Sequence, residues 1–355
     1  MGEIYETHQA EMLTGEAPDT MPSPGPLKAA RKQFSRLGLF IFIGAAITMV
    51  IQIAFSFIIL ILELDWLDTS NGVLLLSAVS LYLFGIPVLI ALLRTLPATP
   101  VERHDMKGGH FAIAALMTYA IMYGSNLIGI VITSVIGMLK GSAVENELVG
   151  LVGSLSVPLM FVYMVVIAPI MEEYVFRKLI IERTVRYGQG VAVVLSGLMF
   201  GLFHGNLSQF MYAFTMGIFL AFLYVKTGKL KITIALHAMV NFMGSIVASA
   251  MLDLVDLDGY MEMLEGGFNY IAYMEYMRKN AIGFLIYFIY LILLLGVVIA
   301  GAVLIIIALA KRKVKFAPGE VVIPRGKRFV TVVLNVGMLI YCIFWIAMIV
   351  CRLFI

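Results

Sequence analysis

An all-α, polytopic transmembrane bundle of about nine spans, with eight as the alternative count, is the architecture this sequence predicts. Three observations carry that reading. Of 355 residues, 61% are hydrophobic and only 13% are charged, which no soluble globular domain needs. Several uncharged runs reach about 18 residues or more, enough to cross a hydrocarbon core of about 30 Å as a helix. The basic residues gather on alternate loops, as they do in chains threaded through a bilayer. The net charge of +3 is small and offers no basic surface for nucleic acid, so the partners expected are the lipid bilayer and a membrane-associated peptide or protein.

Residues 1–37 are polar and contain Pro22, Pro24, Gly25 and Pro26, followed by Lys28, Arg31, Lys32 and Arg36. With no short apolar region and cleavage site at the start, this stretch is expected to be a disordered cytoplasmic tail. Residues 38–355 form the bundle, with spans expected at 38–62, 73–96, 110–138, 150–171, 189–206, 208–225, 231–251, 281–310 and 328–354. The first loop carries Glu63, Asp65 and Asp68, and the second Arg94, Arg103 and Lys107. The third sets Lys140 against Glu145 and Glu147, and the fourth holds Arg177, Lys178, Arg183 and Arg186. The fifth is too short to vote, the sixth has Lys226, Lys229 and Lys231, and the eighth holds seven bases from Lys311 to Arg328. This alternation places the N-terminus in the cytoplasm and the C-terminus outside. Lys178 to Tyr187 is expected to prolong the fourth helix along the cytoplasmic interface as an amphipathic stretch. Residues 252–280, acidic, rich in Met and aromatics and broken at Gly266-Gly267, are expected to lie on the outer membrane surface. Cys342 and Cys351 sit nine residues apart in the last apolar run, about 13 Å along one helix, too far for a disulfide.

Against this apolar background, Met171-Glu-Glu-Tyr-Val-Phe-Arg177 stands out. Ionisable groups at membrane depth are costly and mark function or tight pairing. Glu173 and Arg177 are four apart and share a helix face, whereas Glu172 lies about 100° round from Glu173. Two further polar intrusions are His204, in Phe200-Gly-Leu-Phe-His204, and His237 with Asn241 one turn on. A lone histidine in an apolar helix is commonly a packing residue. Two histidines, an Asn and a di-Glu step in three neighbouring spans point to one polar site, taken here as the core at 150–250. His8, His104 and His110 fall in the tail or at loop edges and carry no such signal.

Carboxylate and imidazole together can activate a water, while a second imidazole and an amide can donate to an oxyanion. Alternatively, Glu172, His204 and His237 are candidate ligands for Zn²⁺ with an open position for water. Both point to hydrolysis. Ser196, Ser208 and Ser245 read as ordinary small residues of membrane helices, and no His-Glu-x-x-His is present.

The Glu-Glu-x-x-x-Arg at Glu172 to Arg177, the Phe-x-x-x-His at Phe200 to His204 and the His-x-x-x-Asn at His237 to Asn241, in that order, resemble the motifs of the ABI (CPBP) family of intramembrane proteases. That family includes the type II CAAX prenyl endopeptidases and bacterial members. The resemblance covers about residues 150–250. It implies Glu172 as the water-activating residue with His204 helping to hold the water. It implies His237 and Asn241 as the oxyanion-stabilising pair, or His237 as a ligand if a metal is present, with Glu173, Arg177 and Phe200 in support. The resemblance leaves the metal open: the water mechanism without one is preferred, since only two histidines are available, and Zn²⁺ is the alternative cofactor. An immunity or scaffold protein of the same fold, binding without cleaving, and a proton-coupled transporter are the alternatives; the missing internal repeat counts against the latter. One geometric difficulty stands. Measured from a common cytoplasmic plane, His204 lies about 21 Å along the fifth helix but His237 only about 9 Å along the seventh.

Overall fold

The computed structural model describes residues 24–64, 69–144, 155–265 and 269–354. Residues 1–23 of the expected tail lie outside them. So do Asp65, Asp68, Glu145 and Glu147 of the loops, residues 150–154 of the fourth span and the Gly266-Gly267 break.

Every described element is helical. In chain order these are α1 (Pro24–Leu62), α2 (Ser70–Arg94), α3 (Gly108–Lys140), α4 (Val157–Tyr187), α5 (Gln189–Phe203), α6 (Leu207–Thr227) and α7 (Leu230–Leu254). Then come α8 (Leu257–Glu265), α9 (Tyr270–Lys279), α10 (Ala281–Ala310), α11 (Arg328–Val332) and α12 (Val336–Arg352). Among the described residues, seven helices are long and apolar enough to span a membrane, and an eighth span arises if the pair Arg325–Val332 and Val336–Arg352, bent by 69°, crosses as one. The nine expected segments are all present as helices. The difference from nine is α5, which has only 15 residues, about 22 Å of helix and short of a full crossing.

Two segments differ in ways that matter. First, α1 starts at Pro24, so residues 24–37, expected in the disordered tail, are helical. The reason is an apolar stripe one turn apart, with Ala30, Phe34, Leu37 and Ile41 all sealed in the core. Second, α4 is prolonged to Tyr187 as expected, but not along an interface. Its last two turns are no interfacial ramp, because Leu179, Ile180, Ile181 and Tyr187 are buried. The charged residues between them are anchored inward: Arg183 donates through Nε to the Leu93 carbonyl and through Nη1 to the Leu179 carbonyl.

Prolines shape the spans. In α2 the wide-turn stretch Ser80–Gly85 precedes Pro87, and in α4 the stretch Phe161–Ile167 precedes Pro169. A proline removes its own N–H and crowds the carbonyl one turn back, so the backbone widens into a π register before it. In that register Ala168 N–H already donates to the Tyr163 carbonyl, five residues back. The next bond would run from Pro169 to the Met164 carbonyl, and proline cannot make it.

Helices α5 and α6 form a tight hairpin, α6 packs on α3, α3 on α10, and α1 on α12. Close approach at α5–α6 comes from Gly197 and Gly201: a Cβ on Gly201 would sit 2.8 Å from Phe214 Cβ and 3.0 Å from its Cα. This small-residue spacing lets membrane helices touch backbone to backbone.

Candidate active site

Depth inside the bundle is set by the turn from which each helix starts. Gly188 closes α4 and opens α5 with φ 110°, a conformation that suits residues without a Cβ. Glu172 lies sixteen residues before that glycine and His204 sixteen after it, so both stand about 24 Å from the same turn. The start of α7 hangs higher. Leu230 packs against the cluster of Ile181, Ala221 and Tyr224, so the eight residues from Glu173 to Ile181 match the seven from Leu230 to His237. The expected mismatch in depth came from measuring α5 and α7 from one plane. The residues do meet.

Their meeting point is an asymmetric pair of carboxylates around one imidazole. His237 Nδ1 donates to Glu173 Oε1 at 3.1 Å, and its Nε2 faces Glu172 Oε2 at 3.7 Å. A 100° separation on α4 therefore places Glu172 and Glu173 on two edges of the same ring rather than on unrelated faces. Glu173 is fully sealed and pairs on its other side with Arg177 Nε at 3.0 Å, while the Glu172 side chain keeps 17% of its surface open. Arg177, also fully buried, donates from Nη1 to Ser196 Oγ at 3.2 Å and lies 4.6 Å over the Phe200 ring. Ser196 in turn donates to the Phe176 carbonyl at 2.7 Å. Arg177 thus ties α4 to α5. This pair sits mid-helix in the core, not at a helix end.

Phe200 is the spacer between the histidines. Its ring meets His204 edge-on at 4.8 Å and His237 edge-on at 5.6 Å. His204 ends α5, and its Nδ1 donates to the Phe200 carbonyl at 2.9 Å. A carbonyl can only accept, so Nδ1 carries the proton and Nε2 keeps its lone pair. Asn241 does not point an idle amide at the site. Its Nδ2 donates to the Met164 carbonyl at 2.8 Å, the group that Pro169 leaves unpaired. One of its two amide hydrogens is spent on holding α7 against the widened part of α4, and one remains.

The sequence reading missed three tyrosines. Tyr82 of α2, Tyr163 of α4 and Tyr212 of α6 all come within electrostatic reach of Glu172. The Tyr82 and Tyr163 rings lie 5.7 Å apart, and Tyr212 is 6.4 Å from His204. Tyrosines in apolar spans are too common to be noticed singly; only the packing of α2 and α6 beside α4 brings these together.

Among the described residues, no three His, Cys, Asp or Glu side chains are grouped closely enough to hold an ion. Glu172, His204 and His237 as placed do not form a Zn²⁺ ligand set, because Phe200 holds the two imidazoles apart.

Comparison with known proteins bears on the same region. Residues 154–243 match the family described as type II CAAX prenyl endopeptidase Rce1-like. A Bacillus subtilis protein named as a membrane peptidase, YdiL, is 29% identical over 160 residues, covering 43% of this chain and 64% of that protein. The membrane-embedded CAAX protease MroQ of Staphylococcus aureus is 23% identical over 214 residues, covering 56% of this chain and 86% of the relative. The chain thus spans less than two thirds of the Bacillus protein's length. No solved structure matches significantly.

Proposed function

We propose that this multi-pass membrane protein, which carries an Rce1-like, type II CAAX prenyl endopeptidase domain in residues 154–243, is an intramembrane endopeptidase that cleaves a membrane-associated peptide or protein. The single observation that carries the reading is the asymmetry of the di-Glu step: Glu173 is sealed between Arg177 and His237, while Glu172 faces the same imidazole with part of its carboxylate open.

In this mechanism a water sits between Glu172 and the Nε2 lone pair of His204. Glu172 takes one proton as the water oxygen attacks the scissile carbonyl carbon, and His204 orients the water by accepting its other hydrogen. Negative charge builds on the carbonyl oxygen. The remaining amide hydrogen of Asn241 and, in its doubly protonated form, the Nε2–H of His237 are the donors aimed at it. Collapse of the tetrahedral intermediate breaks the C–N bond, and Glu172 returns its proton to the leaving amine. Glu173 and Arg177 do not touch substrate; they hold His237 and the α4–α5 contact in place. Phe200 sets the separation of the two imidazoles.

The placement of bases on alternate loops supports a cytoplasmic N-terminus and a site reached from the cytoplasmic side. The decisive experiment compares membrane and culture proteomes of cells carrying wild-type protein or Glu172→Ala at equal expression. The expected result is one or more membrane-derived fragments that vanish in the variant. Identical fragment sets in both would overturn the peptidase reading and favour a protein that only binds.

A further inference from the structure

A second polar place lies outside the di-Glu site. The start of α1 and the ends of α2 and α4 converge on a cavity of about 490 Å³, lined by Lys32, Arg36, Arg186, Gln33, Tyr187 and Leu96 among others. That volume falls within the range of small-molecule sites. Its floor is a built lattice. Gln33 donates from Nε2 to the Arg183 carbonyl at 2.6 Å and to the Pro97 carbonyl at 3.3 Å, and it accepts from the Tyr187 hydroxyl at 2.8 Å. The three span ends are therefore held in fixed register around the opening.

The charge in this cavity is uncompensated. Among the described residues, none of Lys32, Arg36 and Arg186 forms an ion pair. The Arg186 Nε is buried without a hydrogen-bond partner. A desolvated donor without an acceptor is costly, and three neighbouring cations repel one another. The nearest described acid in sequence is Glu320, exposed beside the lining residue Val321. Together these cations suit an anionic ligand.

Its level within the molecule indicates which kind. Arg36 is the last charge before the uncharged run from Leu37 to Leu62 in α1, so the cavity lies where headgroups meet the hydrocarbon. Basic cavities between span ends at that level suit lipid phosphates. Leu96, Pro97, Ala29 and Val321 add an apolar wall beside the cations. We propose that this cavity holds the phosphate of an anionic phospholipid headgroup, with Arg36 and Arg186 as the principal donors. This proposal does not depend on the peptidase reading.

The test uses the full chain in detergent, titrated with phosphatidylglycerol, phosphatidylcholine or inorganic phosphate and followed by native mass spectrometry. Phosphatidylglycerol is expected to remain bound at one copy per chain, and phosphatidylcholine to be lost. Each charge removed should weaken retention roughly fivefold, so Lys32→Gln gives about that and the Lys32→Gln/Arg36→Gln/Arg186→Gln variant roughly a hundredfold. Lys32 and Arg36 are exposed, so Lys32→Gln and Arg36→Gln alone keep the test valid if the triple variant unfolds. Equal retention of both lipids, or unchanged phosphatidylglycerol binding in the variants, would overturn the proposal. Displacement of the lipid by equimolar inorganic phosphate would overturn the lipid assignment and leave a site for soluble anions.

Discussion

Helices α4 and α10 are both long apolar spans, yet they have opposite roles. Helix α10 runs from Ala281 to Ala310 without one charged residue, and most of its large side chains, among them Leu293, Ile299 and Ile306, are exposed toward where lipid would be. Helix α4 is interrupted by Pro169, by two wide-turn stretches and by Glu172, Glu173 and Arg177 in its middle, and much of it is buried. The less hydrophobic helix is the more enclosed one. In a bilayer, an apolar face needs no partner, whereas a carboxylate or guanidinium does. Between these two helices, burial therefore follows polarity, and the candidate site sits where hydropathy is interrupted.

That contrast can be broken by mutation. Removing Arg177 with Arg177→Ala leaves the buried Glu173 without its guanidinium and with His237 as its remaining partner, an expected loss of about 3–5 kcal/mol; Leu293→Ala on α10 should change stability little. Unfolding midpoints in one detergent check both. A pair of equal shifts would contradict the contrast. Next in size is Gly201→Ala. The added Cβ meets Phe214 backbone and side chain at about 3 Å, so α5 and α6 must separate at an expected cost of about 1–3 kcal/mol. Because His204 follows three residues later, activity should fall further than stability does. Smallest is the clamp on α4. Asn241→Ala strips the partner from the Met164 carbonyl, about 1 kcal/mol, and the loss should shrink in a Pro169→Ala background, where an N–H returns to the widened turn. A double-mutant cycle measures that coupling, and strict additivity would show that Pro169 and Asn241 are unrelated.

Much of the site was legible without coordinates because membrane-depth polarity is scarce. Glu172, Glu173, Arg177, His204, His237 and Asn241 each interrupt an apolar run, and the resemblance at Phe200 added the spacer. What could not be read is relational. That α4 runs on to Tyr187 was legible; that this end is buried was not, since Glu182 and Arg183 look interfacial until their partners on α1, α2 and α6 are known. The apparent mismatch in depth between His204 and His237 came from measuring α5 and α7 from one plane, when α7 starts at the level of Ile181. The role of Asn241 was likewise hidden, because the carbonyl it satisfies is made available by a proline on another helix. Tyr82, Tyr163 and Tyr212 carry no local signature at all. Similarly, the first turns of α1 read as polar tail, although Ala30, Phe34 and Leu37 form a stripe that is buried against the rest of the bundle.

The central claim is that two adjacent carboxylates have been divided between chemistry and architecture. Glu172→Gln and Glu173→Gln, purified side by side and measured for both unfolding and fragment production, test it directly. The account predicts that Glu172→Gln keeps the wild-type unfolding midpoint and loses cleavage by about 10²–10⁴-fold, while Glu173→Gln loses stability and cleavage together. Wild-type cleavage by Glu172→Gln would contradict it.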